Sequence, residues 1–502
     1  MAAVILASAM AFIDATALNV VLPSLQQSLN ASGADLFWIL NAYLLILAAL
    51  ILVGGSLGDK LGRKKIFMAG ILIFIIGSAA CGFAPTVGYL IAFRIIQGAG
   101  GALMIPGSLS LLSSSIDEKQ RGKAIGTWSA ITTVVTIGGP VIGGALADAG
   151  LWRYIFFINI PIGLAAIAIL RSKVGESRNE TGDTALDISG VLAIAFGLAF
   201  LTFGFLRIPA LGFNHWQVYL SLSLGILLLI AFILIEKKSP HPMMPLHLFA
   251  NISFSGANLL TFFLYAGLGA GMLFLSLNLV QAQGYSQLQS GLTFLPFTIL
   301  MIAIARPAGS LADKFGPRLL LILGPAIAGA GLLVLSFVGQ THGPSDYWTS
   351  FFPGILLFGL GMSFTVAPLT TTVMTSVNDQ FSGTASGVNN AISRIASVFA
   401  NAIFVALAIL FFAGALQKTL PPTLKENPAI LEQTANLGNA KAPANLEPKS
   451  RTIVSDAYHA SFIQTCRKLM GCAAALAFLG AGMGALFIHN PKRKSTTTKS
   501  TT

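Results

Sequence analysis

The sequence predicts an all-α polytopic membrane protein: fourteen transmembrane helices, arranged as two six-helix pseudo-symmetric halves plus two inserted helices. Three observations carry this expectation. The 502 residues are 55% hydrophobic and only 10% charged, against about 25% charged in an ordinary soluble domain. Mean hydropathy is +0.79, which excludes a disordered chain, a disulfide scaffold and a typical cytosolic enzyme. Apolar runs near the ~20 residues that span a bilayer recur along the chain, and a motif closing the second run returns at the close of the tenth.

The first run, 2–25, begins at Met1 without the positive stretch of a cleavable signal, so it reads as a span. The second, 36–58, ends in a glycine-rich charged turn. Runs 66–84 and 87–112 are divided only by Ala84, Pro85 and Thr86. The fifth, 122–147, contains paired glycines around a proline, and the sixth, 154–171, closes on Arg171 and Lys173. Runs 187–206 and 216–235 form the insertion. Runs 253–280, 289–311, 318–339, 349–374 and 384–413 follow, and 463–488 completes the set after a Pro/Asn-rich loop, 414–462. The expected organisation is an N-terminal half at 1–172, inserted helices with flanking loops at 173–250, a C-terminal half at 251–490 including that loop, and a basic tail at 491–502.

Charge sets orientation. With the N-terminus inside, the inner loops carry Lys60, Arg63, Lys64, Lys65, Lys119, Arg121, Lys123, Arg171, Lys173, Arg178, Lys237, Lys238, Lys314 and Arg318, while the short outer loops carry Arg153 and Arg207. The positive-inside rule then places both termini in the cytoplasm and the chain in the cell membrane, because long loops such as 414–462 translocate regardless of charge. The net charge of +12 is therefore a topological label, and no nucleic-acid partner is expected. Cys81, Cys466 and Cys472 lie in or beside apolar runs without metal or disulfide spacing.

An internal repeat sets the halves. Gly55-Ser56-Leu57-Gly58-Asp59-Lys60-Leu61-Gly62 aligns with Gly309-Ser310-Leu311-Ala312-Asp313-Lys314-Phe315-Gly316, six of eight positions being identical. A weaker echo links 122–126 with 383–387. Two parallel halves about a central axis are a transporter design, with the substrate site between them near the midplane.

The candidate functional residues are the polar ones that the apolar runs should not contain. Asp14 is the one acidic residue well inside a run, where an uncompensated carboxylate is expensive. It suits a proton carrier loaded on one side and unloaded on the other; the alternative is a structural acid satisfied by Thr16, Asn19 or a neighbouring helix. Arg94, with Gln97 one turn on and on the same face, either tunes Asp14, touches substrate or donates to backbone carbonyls. In the loop motif, Gly55 and Gly62 permit a tight turn beside Arg63 and Lys64. Asp59 there can meet a helix N-terminus or a basic partner such as Arg121, making a charge lock, and its duplicate Asp313 favours the lock over a merely solvated turn. In the fifth run Gly139 and Gly143 form a small-xxx-small pair, with Pro140 bending the helix and Gly144 adjacent.

Asn390, Arg394, Ser397 and Asn401 fall on one helical face, facing either a wet cavity or another helix. Candidate cavity residues are Asn19, Asn41, Gln97, Asn390 and Arg394, while Arg306 is expected to snorkel to the interface. No Walker A loop, HExxH motif or ligand cluster occurs, and the six His lie in loops or at helix ends. Catalytic residues, metal and cofactor are thus not expected.

These segments resemble the major facilitator superfamily, specifically its fourteen-helix drug:proton antiporter branch. Asp14 to Pro23 is similar to that branch's first-helix signature. Gly55 to Lys64 is similar to its loop 2–3 motif, and Arg94 to Gly100 to its fourth-helix motif. Gly139 to Gly144 is similar to its fifth-helix antiporter motif, and Trp152 to Gly163 to its sixth-helix start. One departure is Val135, where the antiporter motif usually has a further glycine. The resemblance implies proton coupling through Asp14 and Arg94, and export rather than uptake. It covers essentially the whole chain.

The expected function is a proton-coupled antiporter exporting drugs or other amphipathic small molecules by alternating access. Two rivals are an uptake symporter of the same fold for a metabolite, and a non-transporting sensor or envelope-complex subunit. The expected partners are a small amphipathic substrate, protons, membrane lipid and, as a further candidate, a periplasmic adaptor docking on 414–462. One acid against at least two arginines in the cavity favours neutral or anionic substrates over dications.

Overall fold

The computed structural model describes residues 1–115, 128, 131–132, 135, 138–176, 187–240, 242, 244–377 and 382–490. The N-terminal half holds α1 (Ala2–Leu29), α2 (Gly33–Leu61), α3 (Arg63–Phe83), α4 (Val87–Ser115), α5 (helical over 138–148), α6 (Tyr154–Phe157) and α7 (Asn159–Lys173). The insertion is α8 (Ile188–Leu211) and α9 (Trp216–Lys238). The C-terminal half holds α10 (Ile252–Gln281), α11 (Gln287–Leu292), α12 (Leu295–Phe315), α13 (Arg318–Ser336), α14 (Phe352–Thr375), α15 (Ser382–Thr419), α16 (Pro428–Glu432) and α17 (Pro448–Phe487). Among the described residues no strand occurs. Among the described residues, thirteen helical spans are long and apolar enough to cross a membrane, α6 with α7 and α11 with α12 each forming one. The remaining expected span, 122–147, falls mainly outside the described residues, and α5 is its described end.

Burial orders the helices from centre to rim. The spans of α1 and α10, the first helix of each half, are 67% and 61% buried, whereas α9 is 22% buried. Accordingly α9 packs on α8 and bares Ile226, Leu227, Ile230 and Leu234, side chains suited to lipid. Within the halves, α4 packs on both α2 and α3, and α14 on both α12 and α13, as the repeat requires. The halves meet where α1 touches α10 and α11 and where α2 touches α15.

Several boundaries depart from the hydropathy pattern, each for a local reason. The second span starts at Gly33 because Ser32 and Asp35 form a capping box: Ser32 Oγ accepts from the Asp35 N–H at 3.2 Å, and the carboxylate accepts from the Ser32 N–H at 2.9 Å. A second box, Ser286 with Gln289, starts α11, and a break at Thr293–Phe294 splits the expected run 289–311 into α11 and α12. Pro23 does not end α1. A proline leaves the carbonyl four residues back without its helical donor, and the Asn19 carbonyl instead accepts from Ser276 Oγ of the other half at 3.4 Å. The loop expected at 414–462 is corrected most: α15 runs to Thr419 and α17 starts at Pro448, leaving 420–447 as connection. Polar residues 448–462 form helix too, which a count of apolar residues misses.

The glycine turns that close α2 and α12 share one construction. Gly62 and Gly316 adopt φ of 107° and 88°, a region that favours glycine. The helices after them are capped from far along the chain. The Glu176 carboxylate accepts from the N–H groups of Lys64 (2.9 Å) and Lys65 (3.1 Å), and Asn490 Oδ1 accepts from that of Arg318 (3.1 Å). Glu176 lies three residues past α7 and Asn490 three past α17, so the last helix of each half returns to seat its third. Gly62→Ala is expected to destabilise the protein by about 1–3 kcal/mol through backbone strain, and Glu176→Ala by about 1 kcal/mol through the lost cap. Thermal unfolding in detergent measures both, and a Gly62→Ala protein as stable as wild type would contradict the strain.

Candidate functional site

A fully buried polar cluster is built by three helices of the N-terminal half. Asp14 lies twelve residues into α1, about 18 Å along its axis. Arg94 and Gln97 stand one turn apart on α4. The Arg94 guanidinium donates to Asp14 Oδ2 at 2.6 Å and to Gln97 Oε1 at 2.7 Å, and Gln97 Nε2 donates to Asp14 Oδ1 at 2.9 Å. Both carboxylate oxygens are thereby satisfied. Arg94 Nε also donates to the Ile39 carbonyl of α2 at 3.2 Å, and the guanidinium lies 4.3 Å over the Tyr43 ring. Asp14 and Arg94 are each 1% exposed and Gln97 is fully buried.

The sequence alternatives for Asp14 and Arg94 thus merge. Asp14 is held by a neighbouring helix rather than by Thr16 or Asn19, whose side chains bond the Phe12 and Ala15 carbonyls. Arg94 is both the partner of Asp14 and a donor to a backbone carbonyl. The paired carboxylate ties α1 to α4 by charge-assisted bonds.

The remaining expected residues divide by place. Gln97 belongs to this cluster and not to an open cavity wall. Asn41 and Asn401 are buried and meet across the halves, Asn401 Nδ2 donating to Asn41 Oδ1 at 3.3 Å, while Asn41 Nδ2 and Asn401 Oδ1 have no partner. Asn390 is exposed and bonds the Ser386 carbonyl, and Arg394 is half-buried on the same face of α15. The side chains of Asp59, Arg306 and Asp313, and the whole of Arg121, lie outside the described residues. Lys64 Nζ donates to the Val174 carbonyl at 2.6 Å. Gly55 has ordinary space around it, and the tight approach of α2 to α4 occurs at Gly54, against Ala102.

In α5, a Cβ at Gly143 would sit 2.8 Å from the Ala17 carbonyl oxygen, and one at Gly139 would strike Thr16, so these glycines seat α5 on α1. Gly144 faces the other half: a Cβ there would lie 2.5 Å from the Gln287 carbonyl oxygen of α11. Beside it the Asp148 carboxylate accepts from the Gln287 N–H at 2.9 Å and the Leu288 N–H at 3.0 Å, and the Gln287 side chain bonds Ser24. Gln26 accepts from Gln281 (3.0 Å) and Asn439 (2.9 Å) and donates to the Asn436 carbonyl (3.4 Å). Among the described residues, the hydrogen bonds between halves lie away from the Gly62 and Gly316 turns, toward the opposite end. The bundle is closed at that far end. Sequence reasoning missed Gln26, Asp148 and Glu176; Gln26 stands two turns beyond Asn19 on one face of α1, which was the available signal.

The family described as Major Facilitator Superfamily matches residues 4–401. The chain is 30% identical over 485 residues to a tetracenomycin C resistance and export protein of Streptomyces glaucescens, covering 95% of this chain and 89% of that one. It is 32% identical over 420 residues to the multidrug resistance protein Stp of Mycobacterium tuberculosis, covering 83% and 76%. It is 31% identical over 416 residues to a methylenomycin A resistance protein of Bacillus subtilis, covering 81% and 87%. Among solved structures, the fold is similar to that of the POT family transporter PepTSo, with a TM-score of 0.63 at 15% identity over 97% of this chain and 96% of that one. It is also similar to a bacterial homolog of the human lysosomal transporter Spinster, with a TM-score of 0.61 at 20% identity over 97% and 98%.

Proposed function

The chain belongs to the Major Facilitator Superfamily of membrane transporters, and from that premise we propose that it is a proton-coupled antiporter exporting drugs or other amphipathic small molecules. The family and the apolar helices make it a multi-pass membrane protein; its relatives are named for resistance and export. The proposal adds proton coupling, the cell membrane as its site and cytoplasmic termini. The carrying observation is the buried Asp14–Arg94–Gln97 cluster, where one carboxylate in the membrane interior decides whether an ion pair exists.

In this reading the described state is closed toward the outside, with the turns of Gly62 and Gly316 facing the cytoplasm. Substrate enters from the cytoplasmic side while Asp14 gives up its proton and pairs with Arg94. Opening of the far end admits an external proton to Asp14, the α1–α4 tie loosens, and substrate leaves. Asp59 and Asp313 would steady the cytoplasmic end in the alternate state. The test is purified protein in liposomes under an imposed proton gradient. Antiport predicts substrate and protons moving in opposite directions. Protons entering with substrate would establish the symporter instead, and absence of any flux would establish the sensor.

A further inference from the structure

Among the described residues inside the membrane, charge does not balance. Asp14 and Arg94 neutralise each other at 2.6 Å. Arg394 has no such partner: among the described residues it makes no hydrogen bond and no ion pair. Its neighbours on the polar face of α15 are all engaged. Asn390 Nδ2 donates to the Ser386 carbonyl (3.0 Å), Ser393 Oγ to that of Asn390 (2.8 Å) and Ser397 Oγ to that of Ser393 (3.0 Å). Asn401 meets Asn41. An arginine in the membrane interior needs an anion, a carbonyl or water, and Arg394, half-buried where Asn401 is closed over, finds neither anion nor carbonyl among the described residues.

The packing places Arg394 between the halves. A Cβ at Gly269 of α10 would lie 3.5 Å from Ser397 Oγ, so these positions face each other on two helices that run parallel. One turn back along each stand Tyr265 and Arg394. Beside Arg394 on α15, Ile395 and Val398 pack in one cluster with Leu45 and Ala48 of α2 in the other half, and Tyr43 of α2 is the ring over which Arg94 lies. One turn before Tyr265, Phe262 packs against Phe399, ring centroids 6.5 Å apart. A free cation beside aromatic surface therefore stands on the helix that packs on α2 of the other half, while the charge of the Asp14–Arg94 cluster is already cancelled.

We infer that Arg394 is the anion-recognition group of the cavity and that the substrates are amphipathic organic anions, an apolar body bearing a carboxylate, phenolate or enolate. The inference rests on the export reading only in taking this cavity as the transport route. An anion there gains a charge-assisted hydrogen bond in a poorly screened site. A dication meets a wall of net positive charge.

The test uses the full-length protein in detergent, with the anionic dye fluorescein and the cationic dye ethidium as probes read by fluorescence polarisation. Wild type is expected to bind fluorescein about tenfold or more tighter than ethidium, the scale of one charge-assisted bond. Arg394→Gln is expected to shrink that preference by about tenfold, and Arg394→Lys, which keeps the charge, to retain most of it. Wild type preferring ethidium, or Arg394→Gln shifting both dyes equally, would overturn the inference. Proteoliposomes separate this from the export reading. Ethidium-coupled proton release without fluorescein binding removes the anion site and leaves export standing. Fluorescein binding that depends on Arg394, without flux of either dye, supports the anion site while export fails.

Discussion

Asp14→Asn is expected to abolish proton-driven export while leaving folded protein in the membrane. Asparagine keeps the shape of the side chain and one acceptor for Arg94, while its new NH2 group meets the Gln97 NH2, because Gln97 Oε1 is held by the Arg94 guanidinium. What disappears is the group that takes up and releases a proton. Loss of such a side chain costs roughly a hundredfold or more in rate, so flux driven by a proton gradient should fall to background. Stability should fall too, because Arg94 at 1% exposure loses its counter-ion, and breaking a buried pair costs about 3–5 kcal/mol before relaxation. The two effects separate in a double variant. Adding Arg94→Gln removes the orphaned charge, so thermal stability recovers while proton coupling does not. Unchanged proton-driven export by Asp14→Asn would take Asp14 out of the mechanism; loss that Arg94→Gln restores would show that stability, not proton transfer, was at stake.

That pair also marks how far the sequence is legible. Asp14, Arg94, Gln97 and Arg394 stand out because the membrane makes each polar side chain costly, so their presence inside apolar runs carries information by itself. Their grouping does not, since α1 and α4 lie some eighty residues apart and only folding brings Gln97 onto Asp14 rather than into the cavity wall. Gly62 and Gly316 were readable from the repeat, but Glu176 and Asn490, which cap the helices after them, were not, because a cap supplied from more than a hundred residues away leaves no local pattern. The first turns of α17 escaped notice for the opposite reason. Hydropathy counts what fits in lipid, and residues 448–462 are helical through packing of Val454, Tyr458 and Phe462 against the protein's own core.

The second large effect is expected at the far-end closure. Gly144→Ala should hold that end open and reduce transport by about tenfold or more while substrate binding persists. The added methyl would meet backbone atoms, the Gln287 carbonyl oxygen at 2.5 Å and Leu288 Cα at 2.6 Å, so no rotamer change relieves the contact. Overpacking of this kind costs about 1–3 kcal/mol, and two conformers of a transporter differ by only a few kcal/mol, so the population moves decisively. The contact is shared with Gly291, which faces the Pro140 carbonyl from α11 in return; the two halves approach here backbone to backbone. Asp148→Asn should act in the same direction more weakly. It keeps an acceptor oxygen for one of the N–H groups of Gln287 and Leu288, and loses the other hydrogen bond and the charge that favours a helix N-terminus. Spin labels on Leu151→Cys and Leu292→Cys, both exposed beside the closure, report its opening in a background freed of Cys81, Cys466 and Cys472. The expected order of label separation is Gly144→Ala, then Asp148→Asn, then wild type. If Gly144→Ala lost transport with the wild-type separation, the interface would be fixed structure, and the moving contact between the halves would have to lie elsewhere, with Asn41 and Asn401 the next pair to test.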